Sequence, residues 1–147
     1  MPGKRSFLDT NIFVYSFDQS QPTKRKRAQD LIASALADRN GIISYQVVQE
    51  FLNVATSKFK RPLSTQDARS YLDRVLNPLC EVYPDSVFFA TALSLREESG
   101  YAFYDSLILA AALAGGCDRL LTEDLHDGQT VRGVLIQNPF PKRRQSR

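Results

Sequence analysis

The sequence has no tryptophan, one histidine, His126, and two cysteines, Cys80 and Cys117, in 147 residues. A single histidine excludes a His-rich metal centre, and the two cysteines fit no CxxC or Cys/His zinc spacing. They are expected to stay reduced, as in a cytoplasm. No Gly-x-Ser-x-Gly occurs, and His126 lies in a polar turn, so no Ser-His-Asp set is expected. Any metal must therefore be held by oxygens. Glycine and proline number only seven each, against 43% hydrophobic and 24% charged residues, which excludes collagen-like, low-complexity and disordered architectures. The longest nearly apolar run, residues 107–117, is half of the roughly 20 residues that a membrane-spanning helix needs. No membrane crossing is expected. Near the N-terminus a basic start meets Asp9 before an apolar stretch can form, so no secretion signal is expected.

What is present is an α/β alternation in a chain of one-domain length. Ser6 to Leu8 reads as a short buried strand, Asp9-Thr10-Asn11 as a strand-to-helix turn, and residues 12–17 as a short apolar stretch. Thr23 is placed to cap a helix to about residue 38, with Ala28, Leu31, Ile32, Ala35 and Leu36 on one face. Ile42 and Ile43 give a second strand, and Ser44 starts a helix to about residue 58. Further helices are expected over 64–76 and 86–99, with a strand at 81–83 between them. Asp105 opens an Ala/Leu-rich helix ending at Gly115-Gly116, and 119–121 and 133–136 form the last strands. Short apolar strands alternating with helices predict a three-layer α/β/α sandwich with a mainly parallel sheet, whose ligands sit at the carboxyl ends of strands. Residues 1–141 are expected to form one domain and 142–147 a basic, disordered tail.

Four carboxylates fall where that edge predicts chemistry. Asp9 follows the first strand; Asp124 follows Leu120-Leu121-Thr122 in a polar turn; Asp105 stands at the start of an almost wholly apolar helix. Helix or turn capping explains each of these taken alone. Glu50 fits capping worst. It lies three residues after Val47 and four before Val54, on the apolar side of its helix, and positions 46, 53 and 57 offer Gln, Asn and Ser rather than a cation. A buried glutamate needs a metal, a distant arginine or a proton. Four converging carboxylates repel one another unless a hard divalent cation joins them, and all-oxygen ligation selects Mg²⁺ or Mn²⁺.

The segments Phe7-Leu8-Asp9-Thr10-Asn11, Val47-Val48-Gln49-Glu50-Phe51-Leu52, Tyr104-Asp105-Ser106-Leu107-Ile108-Leu109-Ala110 and Thr122-Glu123-Asp124 together resemble the PIN-domain family in order, spacing and local context. The likeness is nearest to the small prokaryotic toxins of the VapC kind and covers 6–136. It implies a PIN-like α/β/α sandwich and a Mg²⁺- or Mn²⁺-dependent endoribonuclease that cuts single-stranded or loop RNA with a metal-activated water. It also implies a homodimer and a cognate antitoxin that occludes the site. Carried over, Asp9 and Asp105 would be the principal metal ligands, with Glu50 and Asp124 completing the acidic site. Asn11 and Thr122 would orient the carboxylates, while Glu123 and Asp127 flank Asp124 and are candidates to share its role.

On that view the basic clusters at 24–27, 58–61 and 142–147 become RNA-backbone contacts rather than solvated faces, and Tyr101, Phe103 and Tyr104 become candidates for base stacking, two of them expected in the core. Two other readings keep the residues and change the function. A strand-end aspartate beside Mg²⁺ can accept a phosphoryl group, as in receiver-like or phosphatase-like domains, although Glu50 then has no task. Alternatively the acids only cap helices in a non-catalytic RNA-binding or partner-binding module, which would be indifferent to metal.

Overall fold

The structure, a computed structural model, describes residues 4–140; the basic tail expected at 142–147 lies outside them. Six strands form one sheet: β1 (Ser6–Leu8), β2 (Gly41–Ser44), β3 (Cys80–Val82), β4 (Arg119–Leu121), β5 (Thr130–Val131) and β6 (Val134–Gln137). Their order is β3-β2-β1-β4-β6-β5. All neighbours are parallel except the last pair, a hairpin in which β5 runs antiparallel to β6. The short apolar strands are buried on both faces, as a parallel sheet under helices requires.

Seven helices connect and cover the strands: α1 (Thr10–Tyr15), α2 (Pro22–Asp38), α3 (Tyr45–Ser57), α4 (Thr65–Tyr71), α5 (Asn77–Leu79), α6 (Ser86–Ser99) and α7 (Phe103–Ala114), with a π-helical turn, Leu72–Leu76, joining α4 to α5. α2 lies on the face shown by Leu8, and α7 lies on the other, the face of Phe7 and Ile42. Seven successive residues of α7, Ser106 to Ala112, are buried, so this helix is enclosed on all sides, with α6 packed outside it. Gly41 permits the close approach of α2. A Cβ there would stand 2.6 Å from the Ala35 Cβ and 2.9 Å from Leu8 Cδ1.

Several expected details are corrected. Thr23 does not cap α2; the helix begins at Pro22 with Gln21 before it, because proline's fixed φ suits the first helical position. Asp105 does not open α7 but sits in its first turn, two residues inside a helix that starts at Phe103. Ser44 does stand at the N-cap of α3, yet its side chain makes no capping bond. β5 has no counterpart in the expected strands. It exists because the turn at Arg132 (φ 47°) and Gly133 (φ 84°) folds the chain back in a two-residue hairpin of the type that needs positive φ at both centres. Both cysteines are free, and Cys117 is buried.

Candidate active site

Register decides where the site forms. Leu8 and Leu121 are partners at the carboxyl ends of adjacent strands, and the ladder continues one step beyond them, with the Asp9 N–H donating to the Leu121 carbonyl at 3.0 Å. Asp9 and Thr122 therefore leave the sheet side by side. Asp9 is the N-cap of α1, its Oδ1 accepting from the Thr10 N–H at 2.7 Å, while its Oδ2 accepts from the Thr122 hydroxyl at 2.8 Å. The capping and site readings of Asp9 are thus compatible in one side chain.

From Asp9 an unbroken hydrogen-bonded chain runs in both directions. The Thr10 hydroxyl donates to Glu50 Oε2 at 2.7 Å, and Gln46 Nε2 donates to Glu50 Oε1 at 2.9 Å. On the other side the Asp124 N–H donates to the Thr122 hydroxyl at 3.1 Å, and Asn11 Nδ2 donates to Asp124 Oδ2 at 3.2 Å. Asp105 enters from the first turn of the buried α7.

The electrostatics follow from this crowding. Asp9 is 8% exposed, and burial pushes its carboxyl up to about 6, the hydrogen bonds from Thr122 and Thr10 opposing the rise and the charges of Asp124 and Glu50 adding to it. Burial likewise raises Asp105, and the charges of Asp124 and Glu50 raise it further. Among the described residues none of the four acids takes part in an ion pair.

Glu50 departs from its expected setting. It is exposed rather than buried, although the buried residues of α3 are Gln46, Val47, Phe51 and Ala55 and Glu50 lies between Gln46 and Val47 around the helix; the packing that covers those two stops short of the Glu50 side chain. Its partners are two neutral donors, Thr10 and Gln46, rather than a cation.

The flanking acids are occupied elsewhere. Glu123 turns away from Asp124: Tyr15 donates its hydroxyl to Glu123 Oε1 at 2.7 Å, and Lys24 Nζ donates to Oε2 at 2.9 Å. Although burial alone would raise it, these two bonds and the Lys24 charge hold the Glu123 carboxyl below its ordinary value. Asp127 accepts from the Asn138 N–H at 2.9 Å and ties the loop after β4 to the end of β6. Tyr101 and Phe103 pack against the core, the Tyr101 hydroxyl also bridging His126 N–H and Gln129. Tyr104, beside Asp105, is 71% exposed.

The donor set suits a hard divalent cation. It offers carboxylate oxygens with an excess of negative charge, and the Asn11 Oδ1, buried beside Asp124, has no hydrogen-bond partner among the described residues. The arrangement is open: among the described residues no three acidic, histidine or cysteine side chains close into a ready-made cage. No described helix is long and apolar enough to cross a membrane.

Solved structures share this architecture. A toxin–antitoxin complex from Klebsiella pneumoniae matches with a TM-score of 0.64 at 20% identity, over 92% of this chain and 98% of that one. VapBC2 from Rickettsia felis, bound to a DNA fragment from its promoter, gives a TM-score of 0.58 at 24% identity, over 90% and 97%. The sarcin-ricin-loop-cleaving toxin VapC20 of Mycobacterium tuberculosis gives 0.52 at 16%, over 81% and 89%. At such identities the likeness is one of fold. Comparison with the curated proteins gave no match. The PIN domain family model matches residues 6–126, a span that begins with β1 and contains Asp9, Glu50, Asp105 and Asp124, and the chain belongs to the PIN domain family.

Proposed function

We propose that the chain is a divalent-metal-dependent endoribonuclease acting in the cytoplasm as the toxin of a type II toxin–antitoxin pair. Asp9 and Asp105 would hold Mg²⁺ or Mn²⁺, with Glu50 and Asp124 completing the site. The observation that carries this reading is Asp9, a buried carboxylate raised further by the charges of Asp124 and Glu50, which also raise Asp105, with no ion pair to any of the four among the described residues. An arrangement that costs stability without a cation suits a protein that works with one. Similarity in fold to a toxin–antitoxin complex, to VapBC2 bound to promoter DNA and to a toxin that cleaves the sarcin-ricin loop supports the assignment.

When bound, the cation supplies Lewis-acid activation of water and offsets charge on the phosphodiester during displacement. The chain's own residues prepare that chemistry. Thr122 and Thr10 hold both oxygens of Asp9, Asn11 orients Asp124, and Asp105 is presented by a helix buried from Ser106 to Ala112. Asp124, not Glu123 or Asp127, is the fourth acid, since the other two already serve the loop's own structure. Tyr104 offers its exposed ring to an unpaired base next to the acids. Of the basic clusters, Lys24 and Lys26 are ion-paired and Arg27 donates to the Pro139 carbonyl, so Lys58, Lys60 and Arg61, exposed and without ion pairs among the described residues, are assigned to the RNA backbone. A homodimer and an antitoxin covering the acidic groove complete the proposal.

The test compares wild type with Asp105→Asn on a pool of structured RNAs in Mg²⁺, in Mn²⁺ and in EDTA, with cut sites mapped by sequencing. Discrete cuts that need metal and disappear in the variant are expected. A wild type that binds Mn²⁺ but leaves every RNA intact would overturn the nuclease reading and favour phosphoryl acceptance.

A further inference from the structure

Gln46 lies one turn before Glu50 in α3 and is 6% exposed. Its amide makes one hydrogen bond, from Nε2 to Glu50 Oε1. The amide oxygen, Oε1, is buried and has no partner among the described residues; the same is true of the Ser44 hydroxyl, two residues earlier. A buried carbonyl without a donor destabilises the fold. Rotating the amide would not remove the cost, because it would set a carbonyl oxygen against a carboxylate oxygen. Folding alone is therefore served better at this position by an apolar side chain of similar size, and the one bond that glutamine does make reaches a candidate site residue.

Glu50 itself is exposed, and a long exposed carboxylate ordinarily samples many rotamers. Here each oxygen is held by a neutral donor, Gln46 on Oε1 and Thr10 on Oε2, and the Thr10 N–H holds Asp9 as well. We infer that Gln46 is a positioning residue: with Thr10 it orders the Glu50 carboxylate beside Asp9 and Asp105 before any cation arrives, and it does so at the expense of fold stability. This inference rests on the reading of the acids as a divalent-cation site, and it adds that the neutral amide at 46 sets the affinity of that site.

The experiment uses the full chain and MnCl₂. Wild type, Gln46→Leu and Gln46→Met are compared by thermal unfolding in EDTA and by calorimetric Mn²⁺ titration, neither of which depends on turnover. Both variants are expected to melt at or above the wild-type temperature and to bind Mn²⁺ about tenfold more weakly. Unchanged Mn²⁺ affinity in both variants would overturn the inference, and so would a lowered melting temperature or failure to fold in both, which would make Gln46 a structural residue. A wild type that does not bind Mn²⁺ would instead overturn the cation-site reading itself, a result distinguishable because it appears before any substitution is made.

Discussion

The hydroxyl of Thr122 donates to the carboxylate of Asp9 at 2.8 Å, joining residues 113 positions apart in the chain. The same hydroxyl accepts from the Asp124 N–H, so one buried oxygen atom relates two of the four acids. Thr122→Val is close to isosteric and removes both contacts. Leaving Asp9 Oδ2 buried and unsatisfied is expected to cost about 1–3 kcal/mol, seen as a lower melting temperature. The Asp9 carboxyl should also titrate above its present value of about 6, because the lost bond favoured the charged form; carboxyl chemical shifts against pH would report it.

Asp9 makes stability depend on pH in an unusual direction for an acid. Its proton is held more tightly in the folded protein, at about 6, than at the ordinary value of 3.8. Ionisation therefore opposes folding: stability falls as pH rises from about 4 to about 6 and is level above that. Asp9→Asn should be more stable than wild type at pH 8 in EDTA, by up to about 3 kcal/mol, with the advantage gone below pH 4. Thermal melts across that range are the measurement. A less stable variant at pH 8 would mean that the bonds from Thr10 and Thr122 outweigh the burial of the charge.

Adding Mn²⁺ should raise the melting temperature of wild type and leave that of Asp9→Asn unmoved, since a ligand stabilises only the form that binds it. Equal shifts in both proteins would place the ion somewhere other than the acid cluster.

Gly41→Ala should destabilise by about 1–3 kcal/mol through overpacking, the new methyl pressing on Ala35 and Leu8. Backbone strain is not involved, as Gly41 is not among the residues with positive φ. Combining it with Ala35→Gly should recover part of the loss. A double-mutant cycle showing simple additivity would contradict the contact.

Replacing Lys58, Lys60 and Arg61 together with glutamine should weaken RNA binding at low salt and flatten its salt dependence by roughly two in the log–log slope, taking about 0.7 per contact to a single strand. Lys58 lies eight residues from Glu50, about 12 Å along the axis of α3. An unchanged slope would assign the backbone contacts to other cations.

Much of the architecture was legible because it rests on local pattern. Phe7-Leu8 and Leu120-Leu121 are short apolar segments followed by turn residues, and Leu107 to Ala112 in α7 are six buried residues in succession, none of them polar. Thr130 and Val131 were not legible as a strand, since two residues carry no periodicity and β5 is created by the turn that follows it. At the site, Asp9 and Asp124 could be placed from the strands they end. Thr10 and Gln46 could not, because their roles depend on α1 and α3 meeting across the sheet edge. Glu50 has apolar neighbours at intervals of three and four, and Gln46 and Val47 on either side of it around the helix are buried, but its own exposure depends on how α3 meets the sheet edge, which no interval count contains. The occupation of Glu123 by Lys24 and Tyr15 is likewise tertiary, formed over 99 and 108 residues.

The two margins of the sheet are short strands, β3 with three residues and β5 with two, and the pairing of β3 is already irregular next to Ser44. A strand from another molecule would find almost no row of free N–H and C=O groups to extend. Growth of the sheet into a fibre, or capture of an extended peptide by strand addition, is disfavoured at both margins. Helical faces and loops, where side chains rather than backbone choose the partner, are the surfaces left for association.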